Sequence, residues 1–333
     1  MTGTPPPRWK TALRSVPLLL LAVVLWREKP WTIHLAAHAP WAVAASIALN
    51  LVVFLPLKAA RWRVALTAPP PFGKILAATF EGLLANAAIG FGSGDVVRAA
   101  RLRGGQQRLA APTELGSAER SHRGKAREPV EGSRLVIDYA CTWAERGAEV
   151  LALALLVFVT ALVAKLGPLA VASSGAAVAG YLALLGAGRL LVPRLARWPR
   201  VQRAVGAGLH ASTPRRVAAM AALSLAGWAS ELVMLLLFQI AFDVPPSVRM
   251  ALLTLVGINA AIVIPALPGN FGTFEAGATM AMVMCGAPRD VAVAYALTYH
   301  LSHVIPVALV ATGVYLVRNR RYRTTPASTS AGR

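Results

Sequence analysis

The sequence TLVGINAAIVIPALPGNFGTFEAGATM, which covers Thr254–Met280, decides the fold. It lies in a run from Met250 to Phe274 without a charged side chain, as is typical of a segment in lipid. Its centre nevertheless holds two prolines and two glycines, which prevent a straight helix from passing through. Broken backbone at membrane depth is tolerated only where it is buried in protein or lines a cavity. We therefore predict a hairpin that forms half of a transport pathway.

The composition indicates a polytopic helical membrane protein and argues against a soluble enzyme. Of 333 residues, 56% are apolar and 14% are charged, and several uncharged runs approach the ~20 residues that cross a bilayer as a helix. In a soluble protein the net charge of +20 would suggest nucleic acid, but basic cytoplasmic loops explain it here, so no nucleic acid partner is expected. The two cysteines, Cys141 and Cys285, lie in apolar segments and predict no disulfide or zinc framework.

The apolar runs predict one transmembrane domain over residues 11–318, after a disordered leader at 1–10 and before a basic disordered tail at 319–333. A polar, basic region contains a flexible cytoplasmic loop at about 104–133. The six predicted spans cover approximately residues 11–26, 41–57, 135–164, 166–188, 217–242 and 291–317.

The distribution of Lys and Arg predicts the topology. With both termini and the three strongly basic connections inside, 28 of the 34 basic residues are cytoplasmic, five lie outside and Arg146 lies within a span. By the positive-inside rule the chain is a multi-pass protein of the cytoplasmic membrane with cytoplasmic N- and C-termini.

Two segments are predicted to be re-entrant. The loops on both sides of residues 75–92 are basic, so the segment must enter and leave the membrane on the cytoplasmic side. For the second hairpin, parity allows either two full crossings or a return. Length favours a return, because the arm at 250–264 would extend roughly 22 Å, short of the ~30 Å hydrocarbon core.

The two hairpins also share sequence. Asn86-Ala87-Ala88-Ile89 recurs as Asn259-Ala260-Ala261-Ile262, and each copy leads into a glycine-rich break and then an acid, Asp95 or Glu275. Three predicted spans separate the copies, so the second copy is inverted relative to the first. The predicted fold is therefore an all-α integral membrane protein of about six transmembrane helices plus two oppositely oriented re-entrant hairpins, related as an inverted repeat. The repeat halves cover about 41–134 and 217–318.

Four landmarks together suggest a family. They are Ala60-Arg61-Trp62, Asn86 with Gly94-Asp95 and Arg98, Glu145-Arg146 with Glu149, and Leu267-Pro268-Gly269 with Gly272 and Glu275. This set resembles the flippase-like transmembrane domain of lysylphosphatidylglycerol synthases and its stand-alone relatives, over about residues 11–318. The chain departs from the family pattern in two ways: the first hairpin lacks a proline and a basic residue before Gly94, and the loop at 104–133 is long. We expect no aminoacyl-transferase domain, so the resemblance implies lipid translocation without lysyl transfer.

Span 3 carries the densest set of candidate functional groups. Asp138, Thr142, Glu145 and Glu149 share one helix face, and Arg146 beside them can reach Glu149 at i+3. One interpretation is the polar wall of a cavity, where Arg146 meets a lipid phosphate and the acids take protons or a cationic head group. The other is an interfacial stripe at the cytoplasmic end of a long helix.

Other candidates lie near the predicted breaks or alone in a span. Glu275 and Asp95 follow helix breaks, where free backbone amides bind anions and acids bind cations. Arg98 accompanies Asp95 in the pathway or forms an ordinary interfacial ion pair with it. Glu231 is the lone acid of span 5 and serves either transport or a structural hydrogen bond to another span.

His300 and His303 lie at i, i+3 on span 6, which suits a metal pair, a proton or head-group role, or packing. The sequence places no third ligand beside them, and we expect neither a metal nor another cofactor. The predicted lipid-pathway residues are Asn86, Asp95, Arg98, Glu145, Arg146, Glu149, Glu231, Asn259, Pro268, Gly269, Gly272, Glu275 and His300.

The residues and the resemblance together favour translocation of a phosphate-bearing lipid across the cytoplasmic membrane. No nucleophile–base pair or nucleotide-binding loop is evident, so an enzyme is not expected, and coupling would come from an ion or substrate gradient. The alternative is a non-transporting scaffold for a lipid-modifying or glycan-assembly enzyme. In that case neutralising Glu275 or Arg146 would leave function intact, and the expected partners would include that enzyme as well as membrane lipids.

Overall fold

The computed structural model describes Trp26 and residues 39–90, 92–109, 131–163, 165, 167–191, 194, 198–263 and 268–323. All the regular secondary structure in these ranges is helical, which confirms the all-α prediction. The leader, nearly all of predicted span 1, residues 264–267 of the second hairpin and the centre of the cytoplasmic loop lie outside the described residues.

The helices are numbered here in chain order. They are α1 Pro40–Ala65, α2 Phe72–Ile89, α3 Ser93–Leu109, α4 Glu131–Val163, α5 Pro168–Leu191, α6 Pro199–Ala211, α7 Pro214–Ala241, α8 Val248–Ala261, α9 Thr273–Met284 and α10 Arg289–Arg323. A π-helical turn at Asn50–Phe54 interrupts α1.

Four helices in the described part of the chain are long and apolar enough to cross a membrane: α1, α2, α7 and the Arg289–Val317 part of α10. The protein is therefore a multi-pass membrane protein. Three of these helices match predicted spans 2, 5 and 6. The fourth, α2, is one unbroken helix over most of the segment 75–92, which was predicted to enter and return, so that prediction is wrong in its bounds. The turn lies at the end of the segment, and α3 at Ser93–Leu109 forms the second arm. Helices α4 and α5 form over predicted spans 3 and 4 but are not among the four, so the described residues reproduce the predicted six spans only in part.

Two predicted boundaries need correction. The sequence pattern places residues 104–109 and 131–133 in the flexible loop, but they continue α3 and begin α4. It also places residues 319–323 in the disordered tail, but they extend α10. At 319–323 the reason is that Arg has high helix propensity, so a basic composition at the end of a formed helix does not stop it.

Helices α2 and α3 form the first hairpin. Gly90 (φ 116°) and Gly92 (φ 83°) take left-handed backbone conformations at the turn, where a side chain would be strained. The Ser93 hydroxyl closes the turn by donating to the carbonyl of Gly90 at 2.7 Å. The arms touch at Gly82 and Gly94, because a methyl group on Gly82 would lie 2.8 Å from the Gly94 carbonyl oxygen.

Helices α8 and α9 form the second hairpin and use the same device. A methyl group on Gly257 would lie 2.6 Å from the Gly277 carbonyl oxygen. Ala261 lies one turn after Gly257 and faces Gly277. In the first hairpin the equivalent residue, one turn after Gly82 and facing Gly94, is Asn86. The four-residue sequence match, which pairs Asn86 with Asn259, is thus two residues out of register with the glycine contacts.

The second hairpin reaches the end of the first. The 3₁₀ turn at Pro268–Asn270 packs against α2, and a methyl group on Gly269 would lie 3.5 Å from the Ala87 carbonyl oxygen. Helix α10 packs along both α2 and α9. These contacts bring the α2–α3 turn and the break before α9 together within the bundle.

Candidate functional site

Six charged side chains from three helices join in one network, which we call the six-charge cluster. Its members are Arg61 of α1, Asp95 and Arg98 of α3, and Glu145, Arg146 and Glu149 of α4. Five of these six were predicted pathway residues, and the structure brings them together.

Glu145 is the buried centre of the cluster, with no exposed side-chain surface. Its Oε1 accepts from Arg61 Nε at 3.1 Å, and its Oε2 accepts from Arg98 Nη2 at 3.1 Å. One carboxylate therefore ties α1 and α3 to α4. Sharing both oxygens compensates a charge that would otherwise be very costly to bury.

Arg146 is the accessible member of the cluster. Its Nη2 lies 3.1 Å from Asp95 Oδ1, and its Nη1 donates to Glu149 Oε2 at 2.8 Å, which is the predicted i+3 pair. The Arg146 side chain is 40% exposed, against 5% for Arg61 and 4% for Arg98. An incoming anion would therefore meet the Arg146 guanidinium first.

The acids of the cluster are fully used, but the bases are not. Every carboxylate oxygen of Asp95, Glu145 and Glu149 lies within ion-pair distance of a guanidinium nitrogen. Arg98 Nη1 is buried without an acceptor among the described residues, although its guanidinium lies 4.6 Å from the centre of a Trp62 ring. An unused donor next to satisfied acids favours the binding of an anion.

Arg61 also joins the cluster to α7. Its Nη1 donates to Ser224 Oγ of α7 at 3.0 Å. Its Nη2 pairs with Glu149 Oε1 at 3.0 Å, although this contact lacks hydrogen-bond alignment.

Glu275 and His300 form a second polar centre at the hairpin break. His300 Nδ1 lies 2.7 Å from Glu275 Oε1, and Glu275 Oε2 accepts from the Gly272 backbone N–H at 2.7 Å. Glu275 thus caps the first turn of α9 while joining it to α10. The Phe274 ring stacks on the His300 ring at 4.2 Å, and Phe271 lies 4.7 Å away, so aromatic surface covers this pair.

The structure separates other predicted residues from these centres. The Asn259 side chain donates to the Leu255 carbonyl of its own helix, and the Asn86 side chain lies against Gly94 at the hairpin contact. Pro268 and Gly269 belong to the turn against α2. His303 bonds to the carbonyl of Tyr299 in its own helix and diverges from His300.

Glu231 is buried on α7 between the two centres. It interacts electrostatically with Lys58 and Glu149 on one side and with the Tyr299 hydroxyl on the other. The two predicted roles of Glu231, transport or a structural hydrogen bond to another span, stay predictions.

Sequence reasoning missed three residues beside the cluster: Lys58, Ser224 and Trp228. Arg61 was noted only as a landmark. Lys58 and Arg61 lie at i, i+3 after an apolar run, which resembles an ordinary polar boundary. The signal available in the sequence was that both residues lie on one face of the helix. Only the packing of α1 on α7 shows that this face is buried.

The chain matches the family described as "Lysylphosphatidylglycerol synthase TM region" over residues 12–311. It belongs to this family. The match confirms the resemblance seen in the four landmarks, and it includes every member of the six-charge cluster as well as Glu275 and His300. Neither the curated proteins nor the solved structures provide a match. Membership of this family associates the chain with membrane lipid handling.

Proposed function

We propose that the protein translocates a phosphate-bearing lipid between the leaflets of the cytoplasmic membrane without chemically altering it. The observation that carries this proposal is the six-charge cluster, whose acids are saturated, whose Arg98 keeps a spare donor and whose Arg146 is accessible. Ionisable groups within a membrane domain are expensive and mark pathways for polar substrates. The family's association with lipid handling supports the same assignment.

Arg146 is the first contact for the head group in this proposal. Guanidinium groups bind phosphate through paired, charge-assisted hydrogen bonds. A phosphate would replace Asp95 or Glu149 on Arg146, so the guanidinium stays neutralised during the exchange. Because Glu149 also pairs with Arg61, its displacement would also change the contact with α1.

We propose that both hairpins are re-entrant and enter from opposite faces as an inverted repeat. Helices α8 and α9 have 14 and 12 residues, or about 21 and 18 Å, which is short of a ~30 Å hydrocarbon core. The contact of the Pro268–Asn270 turn with α2 supports a meeting of the hairpins inside the membrane. Such a meeting would leave a hydrated slot for the head group. Glu231, Glu275 and His300 are the groups placed to couple movement to protons or to bind a basic head group.

The test is a leaflet-exposure assay with the full chain in vesicles that contain fluorescent lipids with and without phosphate. We expect the wild type to accelerate exchange of the phosphate-bearing lipids only. Arg146→Gln should slow this exchange about tenfold or more, because it removes a charge-assisted contact worth roughly 1.5–3 kcal/mol. The matched control is Arg215→Gln, since Arg215 is an exposed arginine of α7 outside the cluster.

The outcomes separate the candidate functions. No exchange of any lipid by the wild type would favour the scaffold for a lipid-modifying or glycan-assembly enzyme. An equal exchange rate in Arg146→Gln and in the wild type would mean that the cluster has only a structural role. Glu275→Gln adds a test of coupling, and we expect it to abolish any dependence of the exchange rate on a proton gradient.

A further inference from the structure

Lys58 is a half-buried base of α1 that lies beside the six-charge cluster but does not belong to it. It makes no ion pair with a described residue, and its Nζ lies 5.8 Å from the centre of the Phe54 ring. Phe54 ends the π-helical turn of α1, and such turns inside α-helices often occur at functional sites. Because contact with an aromatic ring holds an ammonium less firmly than a carboxylate does, Lys58 can move to a stronger partner.

Glu149 is the acid that would need a new partner when an anion binds. Its Oε1 lies 3.0 Å from Arg61 Nη2, and its Oε2 lies 2.8 Å from Arg146 Nη1. In the proposed function an anion occupies Arg146, so Oε2 loses its partner while Oε1 keeps Arg61. The Glu149 side chain is only 16% exposed, and a carboxylate that loses its partner inside a protein is costly. A replacement cation within reach would lower this cost.

Lys58 and Glu149 line the same small cavity between α1 and α7, which we call the water-sized cavity. Its volume is about 10 Å³, which is room for roughly one water molecule. The other polar groups in its lining are Arg61, Ser224 and the indole of Trp228. Arg61 and Ser224 already have hydrogen-bond partners, and the indole is neutral. Lys58 is therefore the cation of this lining that can still accept a carboxylate as its partner.

The charges around Lys58 favour its movement towards Glu149. Among them, Glu149 has the largest effect and attracts Lys58, whereas the three arginines of the cluster repel it. Glu231 of α7 also attracts it. An anion on Arg146 would weaken the repulsion, and a carboxylate released from Arg146 would attract Lys58 more strongly. Both changes act in the same direction.

We propose that Lys58 is a positioning residue that takes over the Glu149 carboxylate when an anion occupies Arg146. Glu149 Oε1 stays on Arg61, and Oε2 moves from Arg146 to the Lys58 ammonium across the water-sized cavity. We call this movement the Glu149 switch. Lysine suits it because a compact charge is carried on a long, flexible stem. The assignment rests on the proposed function, since it needs an anion on Arg146, and Lys58 does not touch that anion.

The first test needs no ligand and measures thermal unfolding of the detergent-solubilised full chain by helical circular dichroism. Arg146→Gln imitates the occupied state, because it removes the cation from Glu149 Oε2. While Lys58 is present, Glu149 has a replacement, but in the double variant with Lys58→Gln it has none. We expect the double variant to lower the unfolding temperature by about 2–4 °C more than the two single variants together.

A Glu149→Gln background separates the Glu149 switch from direct repulsion. Lys58 and Arg146 are both cations, so their mutual repulsion alone would give the double variant an excess loss of the same sign. That repulsion does not depend on Glu149, whereas the switch does. We therefore expect the excess to disappear when Glu149→Gln is present in all the variants compared.

Two further variants control for folding and for charge. Lys74→Gln makes the same change at an exposed position of α2, and its effect should add to that of Arg146→Gln within about 1 °C. Lys58→Arg keeps the positive charge, so its combination with Arg146→Gln should show no excess loss.

The second test measures lipid exchange in vesicles that contain fluorescent phosphate-bearing lipids. We expect Lys58→Gln to slow the exchange about fivefold and Lys58→Arg to recover most of the rate, because the switch needs a cation at this position. In the Glu149→Gln background there is no carboxylate to hold away from Arg146. Lys58→Gln should then change the rate by less than about twofold.

Several results would overturn the role of Lys58. Additive unfolding temperatures for Lys58→Gln and Arg146→Gln would leave Lys58 only as a counter-charge for Glu231. An excess that persists in Glu149→Gln, or a failure of Lys58→Arg to remove it, would also overturn the role. Wild-type exchange that depends on Arg146 but not on Lys58 would overturn the role of Lys58 and leave the proposed function in place. An excess that depends on Glu149, without any wild-type lipid exchange, would support the Glu149 switch and overturn the proposed translocation.

Discussion

Glu145 has no exposed surface, yet it carries a charge shared by two guanidinium groups. Removing one partner from a buried ion pair leaves the other uncompensated, which costs far more than the pair itself contributes. Here both carboxylate oxygens are occupied, while Arg98 Nη1 remains without a hydrogen bond in the described chain. At the scale of single residues, the acids of the cluster therefore have all their partners, whereas its arginines still have a hydrogen-bond donor available for an anion.

We expect Glu145→Gln to destabilise the protein by about 3–5 kcal/mol, because two buried guanidinium groups lose their shared counter-charge while the side-chain volume stays the same. Thermal unfolding of the detergent-solubilised protein, followed by helical circular dichroism, measures this change. The control is Asp290→Asn, the same acid-to-amide change at an exposed position of α10. Equal unfolding temperatures for the two variants would mean that Glu145 does not hold α1 and α3 on α4.

The two hairpins show the same construction at the scale of elements. In each, a glycine on one arm touches the carbonyl of a glycine on the other, so the backbones approach more closely than side chains would allow. In the first hairpin, a methyl group on Gly82 would also lie 2.5 Å from Arg98 Cγ. The absence of a side chain at Gly82 therefore leaves room for the Arg98 side chain, which extends to the six-charge cluster.

Gly277→Ala should force the arms of the second hairpin apart, because its methyl group would collide with the Gly257 carbonyl and lie 2.8 Å from Ala261 Cβ. Overpacking of this kind costs about 1–3 kcal/mol, more than the helix propensity gained from alanine. Thermal unfolding with Gly313→Ala as the control measures the difference. Gly313 has no neighbouring atom within 4 Å of an added methyl group, so its variant should be as stable as the wild type or slightly more stable. A Gly277→Ala protein as stable as the Gly313→Ala protein would contradict the close contact.

At the scale of the whole molecule, two ends of the bundle differ in chemistry. One end holds the basic connections, where Arg101 pairs with Glu81 and lies 5.6 Å from the ring centre of Tyr315 near the end of α10. At the other, the turns around 242–247 and 285–288 line an open cavity of about 440 Å³. From the positive-inside rule we propose that the first end faces the cytoplasm.

Labelling of single cysteines tests this orientation. In a variant that carries Cys141→Ala and Cys285→Ala, we expect Pro245→Cys to react with a membrane-impermeant maleimide in intact cells. Ala68→Cys, in the connection between α1 and α2, should react only in inverted vesicles. Both positions are exposed in the structure, so a lack of reaction reports sidedness rather than burial. Reaction of both in intact cells, or the reverse pattern, would refute the topology and the opposed hairpins built on it.

The sequence by itself determined those features that depend on composition or on contacts within one helical turn. Long apolar runs predicted the helices, and the Pro268–Gly272 composition predicted the break before α9. The ion pairs Asp95–Arg98 and Arg146–Glu149 follow from i, i+3 spacing and are present. The family also followed from local motifs and is confirmed.

Only the tertiary structure decided which distant groups meet. Glu145 is separated from Arg61 by 84 residues and from Arg98 by 47, and Glu275 from His300 by 25. Periodicity shows which residues share a face of one helix, but not which other helix packs against that face. The close approach of glycine-containing helices and the burial of α1 against α7 set these pairings. The six-charge cluster and the neighbouring water-sized cavity therefore appear only once the helices are assembled.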